Sequence, residues 1–97
     1  MPLETTPFDS AEYLDSEEAI EAYLEDAIES DDPAVIAHAL GAIARARGMS
    51  QVARDAGLSR ESLYKALSEG GNPEFGTVLR VVRALGMQMK ITGEKSR

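Results

Sequence analysis

Residues 57 to 67, "GLSRESLYKAL", set a glycine, a hydroxyl and a guanidinium at the head of a short amphipathic run. Those residue types in that order suit contact with nucleic acid. A guanidinium at the amino end of a helix, as on Arg60, can make paired hydrogen bonds to guanine O6 and N7 in the major groove. Ser59 is placed to cap the helix by accepting from a free backbone N–H, and its hydroxyl with the first-turn N–H groups also suits a phosphate. If Leu63 and Leu67 turn inward, Arg60, Glu61, Ser62, Tyr64 and Lys65 are left facing outward. For Tyr64 and Lys65 both phosphates and base edges remain open as targets. Ser50 and Gln51, at the head of the preceding helix, complete the candidate DNA-contacting set.

The chain carrying this stretch has a formal net charge of −7, which is unfavourable for meeting a polyanion. The sum hides a division. Residues 1 to 32 hold twelve acids and no Lys or Arg, whereas residues 33 to 97 hold ten Lys or Arg against five acids. Arg45, Arg47, Arg54, Arg60 and Lys65 lie within or just before the candidate unit, offset there only by Asp55 and Glu61. Exposed charges farther apart than a Debye length of ~8 Å are largely screened, so DNA would meet the local basic surface. Two oppositely charged halves imply two partners.

Other chemistry finds little support. His38 is the only histidine, stands among alanines, and has no cysteine or second histidine with which to build a triad or metal site. The carboxylates lack the spaced loop of a calcium site, and no strand leads into Gly70-Gly71, which no GK[ST] follows. An enzyme, a cofactor and a bound metal are therefore not expected. With no cysteine, no apolar stretch long enough to span a bilayer and an acidic rather than basic amino terminus, the expected location is the cytoplasm.

The elements that must position these residues follow from caps and periodicity. Residues 1 to 14, with Pro2 and Pro7, read as an extended acidic arm that Phe8, Tyr13 and Leu14 pin to the body. Residues 15 to 97 form one domain. Asp15 with Glu18 fits a capping box for a helix over about 16–29 with Ile20, Leu24, Ala27 and Ile28 on one face. Asp32 caps and Pro33 opens a second helix, carried by Ile36, Leu40 and Ile43 to Gly48. Two short helices, about 50–56 and 60–68, flank Gly57-Leu58-Ser59, and Val78, Leu79, Val82 and Leu85 mark a fifth that Gly86 ends. Met87, Met89 and Ile91 alternate with Gln88, Lys90 and Thr92, which predicts a C-terminal β-strand over about 87–92. That strand would pair with the arm or with the same strand of a second subunit.

Residues 49 to 68 fit a helix-turn-helix: a small Ala53 where two helices cross, Gly57 where the turn favours positive φ, Leu58 inward, Ser59 as cap. With these at this spacing the chain resembles the Cro/repressor class. More closely, "IARARGMSQVARDAGLSRESLYKALSEGGNP" and its flanks, about residues 8 to 91, are similar to addiction-module antidote proteins related to HigA antitoxins. Relative to ordinary Cro/repressor proteins, Ser50-Gln51 stands two residues closer to the alanine, so the first helix of the motif is shortened.

The resemblance implies an all-α, five-helix, Cro/repressor-like domain, and an antitoxin of a type II toxin-antitoxin module. Such a protein neutralises a RelE/HigB-like toxin and represses its own operon by binding double-stranded operator DNA. A homodimer is the expected assembly, because it would present two recognition helices to the half-sites of a palindromic operator. The acids Asp9, Glu17, Glu18, Glu21 and Glu25, with Phe8 and Tyr13 as apolar anchors, are the candidate toxin-facing residues; a solvated acidic face is the alternative. A free-standing repressor, or a protein-binding inhibitor without DNA binding, are the rival functions.

Overall fold

A computed structural model describes residues 16–68, 70 and 72–93. Among these it has five helices and no strand: α1 Glu17–Glu29, α2 Pro33–Arg47, α3 Met49–Ala56, α4 Arg60–Ala66 and α5 Phe75–Ala84. The proposed arm over residues 1–14, and Asp15, lie outside the described residues.

The boundaries of α1 and the start of α2 have local causes. Ser16 caps α1, its hydroxyl accepting from the Ala19 N–H at 3.1 Å. The N-cap is thus Ser16 and not the expected Asp15, and with Ala19 at the third helical position the expected capping box with Glu18 is replaced by a simple hydroxyl cap. At the other end the Ser30 hydroxyl donates to the Ala27 carbonyl at 2.6 Å, and Asp31 takes a left-handed φ of 59°. Asp32 then caps α2, its Oδ1 accepting from the Ala34 N–H at 3.0 Å, with Pro33 at a position where its missing N–H costs nothing.

The centre of the molecule is α2, where Ala37, Ala39, Leu40, Gly41, Ala42, Ile43 and Ala44 are all buried. A helix apolar on nearly every side is one surrounded by others, and its alanines let neighbours approach closely. On it pack α1, through Ile20, Leu24 and Ala27, and α3, which in turn carries α4 and α5. α3 is therefore the hub. The fully buried side chains Leu40, Ile43, Leu63 and Val81 come from α2, α4 and α5 and tie the layers together.

Three expectations need correction. The C-terminal strand is absent: residues 87–93 have no regular structure, Met87 is half-buried against the core, and Ile91 is fully exposed. Alternation alone gives a strand no stability, because its backbone groups need a ladder partner, and no extended segment among the described residues supplies one. Instead Gly86, at φ 82°, ends α5 as a left-handed cap, with the Met87 N–H returning to the Val82 carbonyl at 3.1 Å. Second, α5 is rotated from the expected stripe: Val81, Val82 and Leu85 are buried while Leu79 is 37% exposed. In "VLRVV" both stripes are apolar, so periodicity could not separate them. Third, Ile28 is 39% exposed, one step past the buried face of α1.

Candidate nucleic-acid interface

The turn between α3 and α4 is built by one residue in a conformation that side chains avoid. Gly57 has φ 75° and ψ 29°, left-handed, and no atom comes within 4 Å of where a Cβ would stand. Its conformation, not crowding, asks for glycine. Around it the Gly57 N–H reaches the Arg54 carbonyl at 3.1 Å and the Leu58 N–H the Ala53 carbonyl at 2.9 Å, the paired bonds of a Schellman cap. Leu58, half-buried against the core, supplies the apolar contact that accompanies such caps.

The chain then re-enters a helix at once. Ser59, extended at φ −74° and ψ 155°, caps α4: its Oγ accepts from the Ser62 N–H at 3.0 Å and donates to Ser62 Oγ at 2.9 Å. Leu63 is completely buried and Leu67 nearly so, fixing which way the helix faces. Arg60, Glu61, Ser62, Tyr64 and Lys65 are consequently exposed, as are Ser50, Gln51 and Ser59. All eight candidate contact residues are solvent-facing, drawn from the leading part of α3 and from α4 with its cap. No described residue walls off the amino end of α4.

Gln51 is already engaged. Its Nε2 donates to Asp55 Oδ1 at 3.0 Å, and its Oε1 accepts from Arg54 Nη1 at 3.2 Å, so a chain of three polar side chains runs along the outer face of α3. Nε2 carries two N–H groups, so a phosphate contact by Gln51 does not require its bond to Asp55 to break. Of the cations in the segment, Arg45, Arg47, Arg54, Arg60 and Lys65 are all exposed. Arg80 and Arg83 on α5, outside the expected set, are exposed as well.

The acidic candidates lie elsewhere. Glu17, Glu18, Glu21 and Glu25 are exposed along α1, opposite Ile20, Leu24 and Ala27. Glu17 and Glu18 in the first turn are favoured by the helix dipole, but Glu21 and Glu25 are not, and the last turn carries no base. Glu17, Glu21 and Glu25 stand four residues apart in succession, a spacing at which like charges cost about 0.2–0.5 kcal/mol per pair. Beyond the first turn, Glu21 and Glu25 therefore do not stabilise their own helix. Phe8, Asp9 and Tyr13 lie outside the described residues, while Tyr23 is half-buried against the core. Among the described residues no group of His, Cys, Asp and Glu side chains could hold a metal ion, and no helix is long and apolar enough to cross a membrane.

Two positions went unmarked in the sequence. Gly41, buried in mid-α2, was signalled only by a glycine where helix formation disfavours one. Phe75 opens α5 and is 66% exposed, with no pattern to single it out.

Residues 4–93 match the family model described as "Probable addiction module antidote protein". An uncharacterized protein of Haemophilus influenzae (strain Rd) is 57% identical over 84 residues, which is 87% of each chain. No solved structure matches the chain.

Proposed function

The chain belongs to the family of probable addiction module antidote proteins, which implies a cognate toxin, and from that premise we propose that it is the DNA-binding antitoxin of a type II module. In this reading residues 49 to 68 are a helix-turn-helix whose second helix, α4, enters the major groove of operator DNA. The protein acts as a homodimer in the cytoplasm, represses its own operon and neutralises a RelE/HigB-like toxin. It is a binding protein, not an enzyme.

The observation that carries the DNA-binding half is the left-handed Gly57 turn, with Leu63 and Leu67 buried and the Arg60-bearing end of α4 exposed. A helix of seven residues offers base contacts mainly from its first two turns, and there Arg60, Glu61 and Tyr64 stand in solvent. Arg54 on α3 and Lys65 on α4, both exposed, suit phosphates. One such helix reads only a few base pairs, so a dimer on half-sites about one duplex turn apart, ~34 Å, is the arrangement that gives specificity.

The toxin-binding half is supported by the acidic row of α1. Glu17, Glu21 and Glu25 repel one another along α1, a cost that association with a basic partner would offset. A toxin that holds RNA presents such a surface.

Two measurements test the proposal. Titration of the duplex upstream of its own reading frame against a scrambled duplex, at several salt concentrations, should show preference for the first. Co-expression with the neighbouring reading frame should co-purify a small basic protein. Equal binding to both duplexes removes the repressor role, and failure to co-purify removes the antitoxin role.

A further inference from the structure

The amino end of α4 is held by the Gly57 turn and its middle by Leu63, but its carboxyl end rests on something less visible. A Cβ at Gly41 would stand 3.1 Å from the Leu67 carbonyl oxygen, 3.6 Å from Leu67 Cβ and 3.4 Å from Arg45 Nη1. Leu67 is the residue that closes α4, and 3.1 Å is closer than a carbon normally approaches a carbonyl oxygen. Gly41 thus forms a notch in the middle of α2 into which the end of α4 is seated. Its helical neighbours Leu40, Ala42 and Ile43 are buried, so α2 has no free room to roll away from the contact.

We infer that Gly41 is a positioning residue for base reading: its missing side chain sets where α4 lies, although it touches neither DNA nor toxin. The inference rests on the reading of α4 as the recognition helix. A Cβ in the notch must push the Leu67 backbone outward by a few tenths of an ångström, because the atom it meets is backbone and not the end of a flexible side chain. α4 is seven residues, about 10 Å at a rise of ~1.5 Å per residue, so a displacement at its carboxyl end is passed on as a tilt of the short rod. Paired hydrogen bonds from Arg60 to a base edge tolerate little of that, since they weaken steeply outside about 2.7–3.2 Å. Phosphate contacts made by long, exposed cations adapt more readily. Specific binding should therefore suffer while general affinity for DNA persists. The Arg45 guanidinium lies beside the same notch, its Nη1 3.4 Å from where that Cβ would stand.

The two effects of adding a methyl group here oppose each other. Alanine in a helix interior favours folding over glycine. A glycine with no positioning role would give a Gly41→Ala chain as stable as wild type or more so, with unchanged DNA preference. The test compares wild type, Gly41→Ala and Gly41→Val on the duplex upstream of the reading frame and on its scrambled counterpart, with amide NMR spectra of each. Expected are folded Gly41→Ala protein, shifted Tyr64 and Lys65 amides, and an upstream-to-scrambled preference reduced severalfold, falling by roughly tenfold in Gly41→Val, the loss of one base contact. Scrambled-duplex binding should stay near wild type. Wild-type preference in Gly41→Ala overturns the inference, even if Gly41→Val fails to fold. Wild type that does not discriminate is a different result, and it overturns the recognition-helix reading together with this one.

Discussion

The Leu58 N–H donates to the Ala53 carbonyl at 2.9 Å, a bond that reaches back across the left-handed Gly57. It ties the last turn of one helix to the residue that leads into the next. Ala53 is buried where α3 meets its neighbours, so the bond anchors the turn in the core and not only to the surface. The direction in which α4 departs follows from this short hydrogen-bonded segment and from the burial of Leu63.

Replacing Gly57 separates conformation from packing, since a Cβ there meets nothing within 4 Å. Gly57→Ala should destabilise by about 1–2 kcal/mol through the left-handed backbone alone. Each kcal/mol lowers Tm by about 4–8 °C in a domain of this size. Gly57→Asn should cost less, because Asn visits this region more readily, and Gly57→Val more. Thermal unfolding that fails to rank the three in this order would refute the turn conformation.

Ser59 carries a cap whose loss can be measured by itself. Ser59→Ala leaves the Ser62 N–H without its acceptor and should cost about 1 kcal/mol, whereas Ser59→Asp should retain most of the stability. Ser62→Ala removes only the exposed hydroxyl-to-hydroxyl bond at 2.9 Å and should stay near wild type in urea melts. Equal losses in Ser59→Ala and Ser62→Ala would place the stabilising group elsewhere.

How far these features can be read without coordinates differs by type. Where a boundary is set by a local group, the sequence suffices: Asp32-Pro33, Gly57, Ser59 and Gly86 each mark the end or start they serve in the structure. Where two answers are locally equal, it does not. Leu79 and Val81 are both apolar neighbours of Val78 and Val82, and only the position of α3 decides which is buried. Met87, Met89 and Ile91 alternate as a strand would, but a strand is a relation between two segments, and one segment cannot report its partner. Gly41 shows the same limit, since the group that requires a glycine there belongs to Leu67, 26 positions along the chain. The outward set from Ser59 to Lys65 was legible because Leu63 and Leu67 fix the facing of so short a helix.

Arg60 and Lys65 should fail in different ways if α4 reads DNA. Arg60→Ala should cost about 1–3 kcal/mol on the preferred duplex and relax base choice at one position. Lys65→Ala, meeting phosphate, should weaken all duplexes alike and reduce the slope of log K against log salt by about one unit. Anisotropy titrations at several salt concentrations distinguish the two. An Arg60→Ala chain indistinguishable from wild type on both specific and scrambled duplexes would remove Arg60 from the base-reading role.

The acidic row of α1 offers a prediction in which stability and binding move in opposite directions. Glu17, Glu21 and Glu25 repel one another along one exposed face that Glu29 continues, so replacing the three by Gln should relieve three like-charge pairs at four-residue spacing, 17–21, 21–25 and 25–29. The helix then gains about 0.2–0.5 kcal/mol per pair, less what Glu17 loses at the helix dipole, so Tm should hold or rise slightly. Association with the basic protein of the neighbouring frame should slow by about tenfold or more at low salt, because complementary charge acts chiefly on the encounter rate. Dissociation, governed by the packed centre of the interface, should change less. The difference from wild type should shrink as salt is raised, since screening removes the same attraction that the substitutions remove. Binding kinetics measured on immobilised toxin decide the matter: an association rate unaltered at low salt would make the row a solvated face and nothing more, and the burden of recognition would pass to apolar residues.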